Sequence, residues 1–263
     1  MNKPIKVCLT FDFDAESSQV RQLEEPGRVS KGQFAVNRGI PRILSLLDRY
    51  EIEATFFVCG WVAEAYPKMT QQIVDKNHEI AAHGYLHEYL DTIPVVEEMN
   101  VFQKTNSILK DFYPKIRGFR APYWKLSSKT LEIVADMGYI YDSSLFNDDR
   151  PYLLEIPETT KKFVEFPVEW FLDDWIMFEG HQYSPSAVLE VWKSQFDAIM
   201  ESGDVSDELR VFQLTCHPAA IGHAYRMRVL EQLIIHMRGH DAIFSGMGDV
   251  AENLIKKIVF KSI

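Results

Sequence analysis

The 263-residue chain has no excess of positive charge: Lys and Arg number 28 against 38 Asp and Glu, a formal charge of −10. With no basic stripe beside an aromatic platform, nucleic acid is not an expected partner. Long hydrophobic runs are missing too, so no segment is expected to span a membrane. The apolar run behind Lys3 and Lys6 is short, is broken by Asp12 and Asp14, and lacks the small-residue cleavage site of an export signal. Cysteine is scarce: Cys8, Cys59 and Cys216 are odd in number and widely spaced, with no CxxC pair. That usage suits reduced core thiols and a cytoplasmic location. No Pro/Gly/Ser-rich linker, low-complexity tract or fixed-period repeat interrupts the chain, which predicts a single domain over residues 1–263.

What is there is ordinary globular composition, 46% hydrophobic and 25% charged, with strand-like and helix-like segments in alternation. Ile5–Phe13 reads as a buried strand, Ile40–Tyr50 as a helix, and Ala54–Gly60 ("ATFFVCG") as a second buried strand. A helix over Val62–Asn77, a short strand in "HEIAAH", a helix over Val95–Phe112 and an extended Arg117–Ala121 continue the pattern. Ser127 or Ser128 is expected to cap a helix running to Met137. Strands in "YIYDSS", "FVEFPVEW", "VFQLTCH" and "DAIFSG" then alternate with helices in "AVLEVWKSQFDAIMES" and "YRMRVLEQLIIHMRG", before a last helix. Roughly seven or eight such units predict an α/β fold, a closed or nearly closed (β/α) barrel. The doubly wound alternative lacks its glycine-rich first turn, because Asp14 is followed by Ala15 and Glu16.

In a parallel barrel the site lies at the carboxyl ends of the strands, so polar residues there carry the functional information. "LTFDFDAE" (residues 9–16) sets Asp12 and Asp14 two apart, facing the same way, with Phe11 and Phe13 packing opposite. A carboxylate in so apolar a stretch must be paired, hydrogen-bonded or bound to a metal to repay its desolvation. The bland alternative is a structural aspartate beside a helix cap. "AAHGYLHEYL" holds His83 and His87, which a helical turn after Gly84 would bring to one side. Isolated pairs of this kind are often plain core or surface histidines, but two imidazoles and one carboxylate make a recurring catalytic zinc-type set. Arg120 in "GFRAPYW" precedes a proline that keeps Ala121 out of the helical region. Buried, it would fix a carboxylate by a bidentate pair; the other reading is a surface arginine. His217 in "LTCHP" faces opposite Cys216, structural by default and a general-acid candidate beside a metal.

In this order, these four stretches resemble the polysaccharide deacetylase family, the NodB-homology carbohydrate esterases. The likeness runs from about residue 5 to the end: "TFDFD" stands where the family has TFDD, "HGYLH" matches H(S/T)xxH, "RAPY" matches RxPY, and "LTCH" resembles LxxH. The resemblance implies a distorted, incomplete (β/α) barrel whose divalent metal is held by one aspartate and two histidines, here Asp14, His83 and His87. It implies Asp12 as the base, Arg120 as the residue orienting it, the Tyr123 backbone N–H as an oxyanion donor, and His217 as the acid. Two nitrogens and one oxygen suit zinc foremost, with cobalt or nickel as alternatives.

The chain departs from the family pattern in three places. Phe13 separates the two aspartates, which leaves base and ligand open between Asp12 and Asp14. The DxxxW element is not plain: "FLDDW" offers Asp173, Asp174 and Trp175, and either aspartate would serve as the charged neighbour of His217. The polar segment Glu16–Arg38 is long, and is expected to close over the mouth as a lid or to make a subunit contact in a homo-oligomer. With "FDFDAES" and "EWFLDD", it looks like a subgroup that includes peptidoglycan-deacetylase-like proteins and hydrolases of allantoin and cyclic imides.

The expected function is therefore metal-dependent hydrolysis of a non-peptide carbon–nitrogen bond, foremost N-deacetylation, with an N-acetylated sugar or small amide as substrate. A small cyclic amide or imide is the alternative substrate, and a non-catalytic carbohydrate-binding barrel the third reading. Trp124, Asp173, Asp174 and Trp175 are the expected substrate contacts. A DxD phosphatase is disfavoured because Glu16 stands where Thr or Val is needed, and a nucleotide-sugar transferase because no diphosphate site is visible. His78, His181, His223, His236 and His240 show no partner pattern and read as ordinary histidines.

Overall fold

The near-continuous apolar run at the start of the chain becomes β1 (Lys6–Phe13), buried from Val7 onward as a parallel strand covered on both faces must be. A computed structural model describes residues 4–156, 163–202 and 210–261. After β1 come α1 (Ser17–Arg21), α2 (Pro26–Phe34), a π-helical turn over Ala35–Gly39, and α3 (Ile40–Arg49). Ile40, Ile43, Leu44 and Leu47 bury one side of α3 at helical spacing. The chain continues through β2 (Thr55–Val58), α4 (Gly60–Ala65), α5 (Pro67–Asp75), β3 (Glu79–Ala82), α6 (Val95–Lys110), β4 (Gly118–Phe119), α7 (Thr130–Asp136) and β5 (Tyr141–Asp142). It ends with β6 (Tyr152–Leu154), β7 (Phe163–Glu165), α8 (Pro185–Glu201), β8 (Val211–Cys216), α9 (Pro218–Ile221), α10 (Ala224–Arg238), β9 (Ile243–Phe244) and α11 (Met247–Lys261).

The strands form one curled sheet in the order β6-β7-β5-β4-β3-β2-β1-β8, with β9 beside the first residues of β1. Every pairing is parallel except β6 with β7. Among the described residues the curl does not close. Its ends are β6 and β8, and the chain leaving β7 reaches β8 through a single bridge, Asp173 to Thr215. The expected (β/α) barrel is thus present in its incomplete form.

Local differences from the sequence reading have simple causes. The helix expected over Val62–Asn77 is broken into α4 and α5 at Pro67, which lacks an amide hydrogen and starts a new first turn after Tyr66 leaves the helical region (φ −127°). β6 carries only three residues, too few for a legible alternation. The segment Glu16–Arg38 holds two helices. α7 begins at Thr130, and Ser127 Oγ accepts the Lys129 amide at 3.0 Å ahead of it.

Inside the curl, Cys8, Phe57, Ala81 and Tyr141 pack together, and α11 closes the strand-start end with Met247, Val250, Ala251 and Leu254. One carboxylate is buried there: Glu79 accepts Arg117 Nε at 3.1 Å, Thr55 Oγ1 at 2.8 Å and the Gly248 amide at 2.9 Å. Burial lifts the Glu79 carboxyl and the Arg117 guanidinium opposes that shift. Arg117→Met would strand this acid, at an expected cost of about 3–5 kcal/mol in urea unfolding. Adding Glu79→Gln should recover much of the loss; a cost under about 1 kcal/mol for Arg117→Met alone would make the pair no stronger than a surface one.

Candidate active site

Alternation along β1 sends Thr10 and Asp12 into the curl, while Phe11 and Phe13 join the core beneath the helices. Phe11 stacks on Phe56 with ring centroids 5.0 Å apart. Asp14, one residue past the strand, faces the same mouth as Asp12. Arg120 follows β4 and is wholly buried. It donates from one terminal nitrogen to Asp12 Oδ1 at 2.6 Å and to Thr10 Oγ1 at 2.9 Å. Its remaining nitrogens donate to the Ser143 carbonyl at 3.2 Å and to Ser143 Oγ at 2.9 Å. The expected bidentate grip on a carboxylate is therefore a single bond, because the rest of the guanidinium fork is held by Ser143.

His83 follows β3, and its Nδ1 donates to the Arg120 carbonyl at 2.7 Å. A carbonyl only accepts, so the proton sits on Nδ1 and the Nε2 lone pair faces the cavity. His83 Nε2 lies 3.3 Å from Asp14 Oδ1, and His87 Nε2 lies 3.7 Å from Asp14 Oδ2. The helical turn expected after Gly84 is absent. Gly84 (φ 69°) and His87 (φ 56°) are both left-handed, and this reversal brings the two imidazoles to 5.0 Å between centroids. A non-glycine residue in that region stores about 1–3 kcal/mol of strain, which clusters at functional sites. Glu88 holds the loop by accepting the amides of Tyr85 at 2.9 Å and Leu86 at 2.7 Å.

Asp14, His83 and His87 each offer a ligand atom within 4.8 Å of the other two. Asp14 Oδ1 is buried with no hydrogen-bond partner among the described residues, an acceptor that a cation would satisfy. The donor set of two imidazole nitrogens and one carboxylate oxygen fits a catalytic divalent metal. Burial works to raise the Asp14 carboxyl, but the imidazoles of His87, His83 and His217 outweigh it and hold it well below the usual carboxylate range. Burial drives His87 down to about 4, into its neutral, ligating form. At His83 burial pulls downward, yet Asp12 and Asp14 reverse the shift. The negative field that favours a proton there equally favours a metal cation.

His217 follows β8. Its backbone N–H and its Nδ1 both lie 2.8 Å from the same atom, Asp174 Oδ1, and its Nε2 lies 3.9 Å from Asp12 Oδ2. Burial disfavours the imidazolium, but Asp173 and Asp174 more than compensate and raise His217 well above its ordinary value. Burial lifts Asp173 to about 7 and raises Asp174 as well. Asp174, expected from sequence as a substrate contact, is fully buried behind the His217 ring and off the cavity wall that Asp173 lines. Because a raised imidazole stays cationic until the pH passes that raised value, removing the Asp174 charge should bring deprotonation to lower pH. Asp174→Asn is expected to move the alkaline limb of the rate–pH profile downward; an unmoved limb would separate Asp174 from the ring's titration.

These groups share a cavity of about 380 Å³, walled also by Tyr123, Trp124, Asp173 and Trp175. Tyr123 and Trp124 are successive left-handed residues (φ 55° and 54°), and the Tyr123 ring lies 4.3 Å from His87 and is stacked 4.2 Å from Tyr89. The segment read as a lid or a subunit contact folds over the mouth: Gln19 of α1, Gln22 just past it, and Lys31 of α2 line the cavity. A Cβ on Gly32 would lie 2.4 Å from the Ala15 carbonyl oxygen, so α2 rests directly on the loop after Asp14. Sequence reasoning missed Thr10, Ser143 and Glu88, whose partners are backbone atoms or lie far away along the chain.

The polysaccharide deacetylase family profile matches residues 2–141. A Helicobacter pylori protein named peptidoglycan deacetylase is 29% identical, covering 98% of both chains. A Mycobacterium smegmatis structure, provisionally assigned as a polysaccharide deacetylase, superposes with TM-score 0.87 at 30% identity, over 98% of this chain and 92% of that one. An allantoinase structure shares the fold, with TM-score 0.86 at 19% identity over 94% of this chain and 89% of its own. On the profile match and these likenesses, the chain belongs to the polysaccharide deacetylase family.

Proposed function

We propose that the protein is a metal-dependent hydrolase of non-peptide carbon–nitrogen bonds, foremost an N-deacetylase of an N-acetylated sugar. The position of Asp12 carries this reading: its Oδ2 lies 3.8 Å from His83 Nε2 on one side and 3.9 Å from His217 Nε2 on the other. A divalent cation held by Asp14, His83 and His87, zinc foremost with cobalt or nickel as alternatives, would polarise the amide carbonyl and lower the pKa of water from about 15.7 to about 7. Asp12 takes the proton of the attacking water while Arg120 fixes its other oxygen at 2.6 Å. The Tyr123 amide is assigned to the developing oxyanion, a contact worth roughly 3 to 4 kcal/mol. His217, anchored by Asp174, protonates the leaving nitrogen so that it departs as an amine. The name of the Helicobacter pylori relative supports an N-acetylated sugar as the substrate class.

A small cyclic amide or imide is the second reading, favoured by the folding of α1 and α2 over a cavity of about 380 Å³, which suits a small molecule better than a sugar chain. Zinc-loaded protein assayed side by side on N-acetylglucosamine oligomers and on cyclic amides and imides tests both. Acetate release from the short oligomers is the expected result. Turnover of the cyclic compounds alone would transfer the assignment to them, and turnover of neither would favour a binding protein. The cytosol is part of the same proposal, supported by three buried cysteines outside any disulfide and testable by fractionation.

A further inference from the structure

At the other end of the curl, where the strands begin, three residues from two parts of the chain meet. His236 lies in the last turn of α10 and His240 just past it, before β9 pairs with the start of β1. Asp197 lies on α8, which packs along α10. The spacing of four at a helix end brings the two imidazoles side by side, with centroids 4.7 Å apart and ring planes tilted by 55°. His236 Nε2 is 2.7 Å from Asp197 Oδ1. His240 Nδ1 donates to the His236 carbonyl at 2.9 Å, which places its proton there and leaves Nε2 a free lone pair. Metal-binding imidazoles are oriented by this same kind of outer bond. Phe196 flanks both rings, at 5.9 and 6.0 Å.

We propose that Asp197, His236 and His240 form a second site for a first-row divalent cation, zinc foremost, which staples α8 to α10. One ligand atom from each lies within 4.8 Å of the other two, and the exposed side of His240 leaves room for water as a further ligand. Tetrahedral bonds of about 2.0 Å set ligand atoms about 3.3 Å apart. The cation therefore displaces the proton of His236 and widens the 2.7 Å contact by roughly half an ångström. A histidine–aspartate hydrogen bond orients His236 and a helix-end bond to the His236 carbonyl orients His240, so each imidazole of the set is held by a second contact. None of the three residues lines the cavity that holds Asp14, His83 and His87.

Calorimetric titration of metal-stripped full-length protein with zinc should show two sites in the wild type and one in His240→Gln, with the hydrolytic rate unchanged. The combined Asp14→Ala, His83→Ala and His87→Ala variant should keep one site, whose affinity falls at least about tenfold when His240→Gln is added. His240 is exposed, and equal unfolding temperatures without zinc would show that its substitution leaves the fold intact. Zinc uptake that ignores His240→Gln in both backgrounds overturns the proposal, as does a single wild-type site that vanishes with Asp14, His83 and His87.

Discussion

Alanine in place of His217 is expected to lower turnover by about two to four orders of magnitude, with bound metal unchanged. An amide nitrogen leaves poorly as an anion, so its departure depends on a proton delivered at the moment the bond breaks. His217 is placed for that delivery: Asp174 fixes Nδ1 and the backbone from one oxygen, and Nε2 points toward Asp12 across the cavity. Single-turnover and steady-state rates, with metal analysis of the same samples, would isolate the chemical step. A wild-type rate would reduce His217 to a structural residue.

Removing Asp14, His83 and His87 together by alanine substitution is expected to abolish metal binding at the cavity and bring hydrolysis to the uncatalysed background. Chelator-treated wild type should behave alike and regain activity when zinc, cobalt or nickel is returned. The physical ground is the buried and otherwise unpartnered Asp14 Oδ1, with a ligand nitrogen of each imidazole within 4.8 Å of the carboxylate ligand atom. Full activity in metal-free triple-variant protein would remove the metal from the mechanism and leave Asp12 and His217 to act alone.

Residues whose role is set by near neighbours were legible in the sequence. The apolar run of β1, the helical spacing of α3 and the strand-end positions of Asp12, His83, Arg120 and His217 all depend on local pattern. The Pro67 break was written in the chain and yields to the rule that proline starts helices and does not continue them. Other features depend on tertiary partners. The choice of Asp174 over Asp173 as the ring's anchor rests on how the chain after β7 meets β8, and the two adjacent aspartates look alike beforehand. The left-handed backbone at His87 likewise has no local signature, since only Gly84 announces a reversal there. Asp197 and His236, 39 residues apart, meet only because α8 packs along α10.

The single bridge from Asp173 to Thr215 has an evolutionary consequence. Residues 170–176 form the wall at the seam without belonging to a ladder, so exchanging them leaves the neighbouring strands paired. Trp170 and Trp175 on this stretch line the cavity, and the Asp173 and Asp174 carboxylates favour the charged form of His217. On the proposed roles, a graft of this heptapeptide would be expected to change ligand preference and acid strength together.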